Sequence, residues 1–93
     1  MSKKALAFLR HAQTEQELVT DEQLDAAWGG ANFGGMTKRE VIRLGTLKCL
    51  AGWHQGHTSK TICTELGLIN EKYKVTAKGR AYLWLAFGRR TGF

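Results

Sequence analysis

The chain has 93 residues, 43% of them hydrophobic and 24% charged, a globular composition that suits one small core and is not that of a disordered chain. Two cysteines exclude a disulfide framework, and no apolar run approaches the roughly 18–20 residues of a membrane span. Fourteen Lys and Arg against eight Asp and Glu leave a formal charge of +6, which points towards a polyanionic partner.

Residues 2–13 predict a short first helix, with Leu6, Leu9 and Ala12 on one stripe. Its apolar stretch, Ala5 to Leu9, stops at Arg10 and His11. That is too short for a signal peptide, so a cytoplasmic protein with reduced thiols is expected. Thr14 and Thr20 both stand at capping-box spacing, as Thr-Glu-Gln-Glu and Thr-Asp-Glu-Gln. Thr20 is the stronger start, because two acids follow it and favour the positive end of a helix. That second helix runs to about Trp28, with Leu24, Ala27 and Trp28 on one face. Gly29–Gly35 holds four glycines in seven residues and predicts a connector pinned by Phe33. It lacks GxGxxG and GK[ST], so it is not a phosphate loop.

Thr37 opens the next helix, Lys38 to about Trp53, which is apolar on nearly every side and therefore expected at the centre. After Gly56 comes a shorter helix, capped by Thr58 or Ser59 and ending near Leu66-Gly67. Ile62, Cys63 and Leu66 form its inner face; Lys60, Thr61 and Thr64 point outward. Leu68-Ile69 and Tyr73-Lys74-Val75 predict two short strands around the turn Asn70-Glu71-Lys72. Thr76 caps a last helix, Ala77 to about Phe87, followed by the basic tail Arg89-Arg90-Thr91-Gly92-Phe93. The fold expected is mainly α: about five helices with one short β-hairpin.

Charge is uneven along this order. Residues 1–36 carry three bases and five acids; residues 37–93 carry eleven bases and three acids. The division predicts an N-terminal helical segment with its Gly-rich connector, 1–36, and a basic core, 37–93, together forming one compact domain. The acids between Glu15 and Asp25 read as capping and solvating groups.

Sites for chemistry are few. Cys49, His54, His57 and Cys63 are all zinc-ligand types, but their spacing, C-x4-H-x2-H-x5-C, matches no usual zinc site, and both cysteines fall on core faces. No metal and no cofactor are expected. The only serines are Ser2 and Ser59, neither beside a plausible base, and no paired-carboxylate site is evident. The protein is not expected to be an enzyme.

The stretch Glu65-Leu66-Gly67-Leu68-Ile69, with Tyr73-Lys74-Val75-Thr76-Ala77-Lys78-Gly79-Arg80-Ala81-Tyr82-Leu83 after it, resembles the end of a winged-helix DNA-binding domain of the MarR-like and PadR-like kind. The resemblance covers about residues 58–83. It implies a recognition helix over Ser59–Leu66, reading duplex DNA with Lys60, Thr61 and Thr64. It implies a wing over Asn70–Lys74, with Lys72 and Lys74 on phosphate. Lys78 and Arg80 would meet phosphate at the start of the last helix, and Arg89 and Arg90 add to the basic surface. The sequence departs from the pattern in its long preceding helix and its short wing turn.

The function expected is that of a small non-enzymatic DNA-binding protein, regulatory in role. Charge does not separate DNA from RNA. The alternative is a small protein of the phage or mobile-element type that binds and modulates a host protein, docking through the apolar last helix and Phe93. Because Ala81–Phe87 is apolar in every direction, the last helix is also the expected contact for a homodimer.

Overall fold

Four threonines set the helix starts. Thr14 Oγ1 accepts from the Glu17 N–H at 3.2 Å, Thr37 from Glu40 at 3.1 Å and Thr76 from Gly79 at 3.0 Å. Thr20 accepts from Gln23 at 3.1 Å, and the Gln23 side chain accepts in return from the Thr20 N–H, a complete capping box. The computed structural model describes residues 3–53 and 56–88. These residues form α1 (Lys3–His11), α2 (Glu15–Leu18), α3 (Asp21–Trp28), α4 (Lys38–Leu50), α5 (His57–Glu65) and α6 (Ala77–Leu83), with a π-helical turn, Trp84–Gly88, continuing α6. Both Thr14 and Thr20 start helices, so the described residues hold six α-helices rather than about five.

The expected hairpin and wing are absent: no β-strand occurs among the described residues, only one antiparallel bridge between Ile69 and Val75. The reason is local. The Asn70 side-chain oxygen accepts from the N–H groups of Lys72 and Lys74, at 2.9 and 3.1 Å. Tyr73 takes a left-handed conformation, φ +62°, and donates its N–H to the Asn70 carbonyl at 3.1 Å. Groups that a ladder would need are thus tied into a tight turn. The winged-helix-like architecture is replaced by a small all-helical fold.

The end of α4 also differs from expectation. Apolar residues continue to Trp53, but Gly52 at φ +88° stops the helix at Leu50. The Trp53 N–H reaches back to the Lys48 carbonyl at 2.8 Å, a Schellman ending. Helix α5 ends the same way, with Gly67 at φ +75° and the Leu68 N–H on the Cys63 carbonyl at 2.9 Å. Leu68 is then fully buried, whereas Trp53 is 71% exposed.

The core is shared by α4, which buries Val41, Ile42 and Cys49, and α6. Ala81, Tyr82 and Leu83 are completely buried, and α6 packs on α1 and α4 while α5 packs on α4 and α3. Leu44 on α4 remains exposed. Along α1 and the residue after it, Ala5 and Ala12 are buried and Leu9 packs on the core, with Leu6 and Phe8 exposed. Of the predicted stripe, Leu9 and Ala12 turn inward and Leu6 does not; Ala5 takes a buried place instead. Gly79 brings the start of α6 onto the turn, since a Cβ there would overlap the Leu68 carbonyl oxygen.

Candidate nucleic-acid interface

Two groups among the bases differ in their neighbours. The first lies on α4 and faces the N-terminal acids. Lys38 pairs with Asp25 at 2.6 Å, Arg39 with Asp21 at 2.8 Å and Arg43 with Glu15 at 2.6 Å. Arg43 grips Glu15 with Nε and Nη2, one on each carboxylate oxygen. The buried Tyr82 hydroxyl donates to Glu15 Oε1 at 2.9 Å and receives a bond from Arg39 at 3.3 Å. Arg39 also donates to the Val19 carbonyl at 2.8 Å. Hydrogen bonding to Glu15 holds the Arg43 guanidinium above its ordinary pKa. Burial, and then the charge of Glu15, push the Tyr82 hydroxyl well above its own. Glu15, Glu17, Asp21 and Glu22 stand in first turns of helices as their capping character predicts, and Asp21 and Asp25 stay largely exposed. Glu15 differs, only 13% exposed at its side chain and tied into the core.

The second group surrounds α5 and the turn after it. Lys72, Lys74 and Arg80 are exposed and Lys78 is half-buried. None of the four makes an ion pair with a described residue. Backbone contacts gather them. Thr76 donates its N–H to the Leu68 carbonyl at 3.0 Å, and its hydroxyl to the Gly67 carbonyl. Lys78 lies alongside Gly67 and shares a cleft with Glu65 and Leu66. Arg89 and Arg90 lie outside the described residues, as do Phe93 and His54.

Helix α5 begins at His57, capped by Gly56 without a side-chain bond, two residues before the expected recognition helix. Ser59 is buried, and its hydroxyl donates to the Gly56 carbonyl at 3.1 Å. The division of faces follows the sequence pattern: Ile62, Cys63 and Leu66 are buried, while Lys60, Thr61 and Thr64 line a shallow cleft of about 250 Å³ with His57, Glu65 and Glu71. The Thr61 hydroxyl donates to the His57 carbonyl at 3.0 Å and that of Thr64 to the Lys60 carbonyl at 2.7 Å. Lys60 Nζ sits 4.3 Å from the centre of the Tyr73 ring, a cation–π contact. Tyr73, an aromatic interleaved with bases in the sequence, and Glu71, within the expected wing, are not among the contacts that the resemblance implies. Their contribution depends on the left-handed turn, which no periodicity announces.

Cys49 and Cys63 are both buried, and the Thr46 hydroxyl points at the Cys63 sulfur, 3.8 Å away. No helix among the described residues is long and apolar enough to cross a membrane. Comparison of the chain with protein-family models, with curated proteins and with solved structures finds no match in any of the three.

Proposed function

We propose that the chain is a small, non-enzymatic, cytoplasmic DNA-binding protein of regulatory type, with α5, the turn 70–74 and the first turn of α6 as its contact surface. One observation carries the reading. Lys38, Arg39 and Arg43 of α4 are matched by N-terminal acids, whereas Lys72, Lys74, Lys78 and Arg80, close together in the sequence, make no ion pair with a described residue. Unmatched lysines and arginines in a group are the electrostatic footprint of a phosphate contact. The wing has no part in this proposal; Lys72 and Lys74 act from a tight turn.

A second reading, docking on a host protein, expects the last helix and Phe93 as its surface, and Phe93 lies outside the described residues. Ala81, Tyr82 and Leu83 are buried in the chain's own core, which also leaves a homodimer through the last helix only the half-buried Trp84–Phe87 to use. What favours protein docking is the exposure of Trp53.

The test is a titration against duplex DNA, single-stranded DNA and RNA at two salt concentrations. Duplex affinity should fall steeply with salt, and the Lys72→Ala/Lys74→Ala variant should lower the salt slope by about 1–2. Absence of duplex binding at low salt would transfer the proposal to a protein partner.

A further inference from the structure

The cleft on the outer face of α5 has a chemistry narrower than its sequence suggests. A threonine hydroxyl has one proton to donate. Thr61 and Thr64 have given theirs to carbonyls one turn back on their own helix. Neither can donate to guanine O6 or N7, or to thymine O4, without breaking that bond. What they keep for a ligand is an acceptor lone pair and the γ-methyl group. Lys60, the remaining α5 base in the cleft, has its ammonium over the Tyr73 ring.

The rim carries Glu65 and Glu71, both exposed. Carboxylates repel phosphate, so the backbone of a nucleic acid has no favourable place inside the cleft. It belongs on Lys72, Lys74, Lys78 and Arg80, outside it. A base edge does fit there: carboxylates accept from exocyclic amino groups, and threonine methyls pack on the thymine methyl.

Resting on the DNA reading above, we infer that α5 recognises thymine through its 5-methyl group, packed on the methyls of Thr61 and Thr64. Such readout also separates DNA from RNA, because uracil lacks the methyl. It needs the major groove of B-form DNA, where that methyl is displayed.

The experiment uses a random-sequence duplex pool enriched by binding to the full chain. The enriched pool is resynthesised once with thymine and once with deoxyuridine, which differ only in the methyl. The thymine form should bind about fourfold more tightly for each methyl buried. In the Thr61→Ser/Thr64→Ser variant the hydroxyl bonds survive and the protein methyls are gone. The two pools should then bind alike, with the thermal midpoint of the protein unchanged. Equal binding of both pools by the wild-type chain would overturn the inference and leave the DNA reading standing. A thymine preference that persists in the serine variant would overturn the assignment to this cleft. No binding of either pool at low salt would remove the DNA reading, and this inference with it.

Discussion

Arg43 and Lys72 carry the same charge and do opposite things. Arg43 is held on two nitrogens by Glu15, with the Tyr82 hydroxyl bonded to the same carboxylate. Lys72 stands exposed on a turn, its backbone N–H taken by Asn70 and its ammonium without an ion pair among the described residues. The difference lies in the neighbours. Charge counted along a segment overstates what a ligand meets, because three of the eleven bases in residues 37–93 are matched by acids from residues 1–36. The count gives a basic core and an acidic appendage. The contacts give a neutralised junction and a separate basic region. Charge of the first kind holds helices together; only the second kind is free to bind.

The sharpest way to break this contrast is to remove Glu15. Glu15→Ala leaves Arg43 and the buried Tyr82 hydroxyl without their shared partner, and should cost about 2–3 kcal/mol of stability. Urea unfolding would measure it, and a cost below about 0.5 kcal/mol would place Glu15 with the ordinary surface acids. Next in size is Tyr82→Phe, which deletes one bond to a carboxylate that keeps its arginine; a loss of about 1 kcal/mol at neutral pH is expected.

The same tyrosine gives the junction an alkaline limit. Burial and Glu15 raise its pKa above the unfolded value of about 10. The unfolded chain therefore loses its proton first. Stability is complete below pH about 10 and declines above it, by at most about 1.4 kcal/mol per pH unit. Unfolding curves between pH 9 and about 11 should show the decline in the wild type and a shallower one in Tyr82→Phe. Parallel curves would mean that the hydroxyl ionises freely in the folded chain. Smallest of all is the effect of Lys72→Ala/Lys74→Ala on folding, expected within about 0.5 kcal/mol. A larger loss would show that these lysines support the turn, and the contrast with Arg43 would disappear.

Much of the helical plan is written in local signals. Thr20, Thr37 and Thr76 announce their helices by side-chain chemistry that acts over three residues, and each caps as its spacing predicts. The inner face of α5 is legible for the same reason: Ile62, Cys63 and Leu66 follow helical periodicity and are buried. Errors arise where a single residue overrides a pattern. Apolar residues carry the reading of α4 through to Trp53, but Gly52 in the left-handed region turns the chain at once. Alternation around Asn70 reads as a hairpin, yet the Asn70 side chain takes the N–H groups of Lys72 and Lys74. The ion pairs were illegible for another reason. Glu15 and Arg43 lie 28 residues apart, and charge partners leave no periodic trace. Within the candidate interface, Lys60, Thr61 and Thr64 could be placed on one face from spacing alone. That both hydroxyls turn back on their own helix is a rotamer choice, which spacing does not encode.

The contact at Gly79 sets a rule for how this sequence can change over generations. Glycine is among the weakest helix formers, less favourable than alanine by up to about 1 kcal/mol. Replacing it would ordinarily be an easy improvement. Here the obstacle is the main-chain carbonyl of residue 68, which is present whatever side chain that residue bears. No compensating substitution opposite can clear it. A lineage could vary position 79 only by rerouting the chain between Gly67 and Ile69 in the same step, and single codon changes do not reroute a backbone. Gains in α6 must instead come through exposed positions such as Arg80, one of the proposed DNA contacts. Selection for a sturdier helix and selection for binding therefore compete for the same codon.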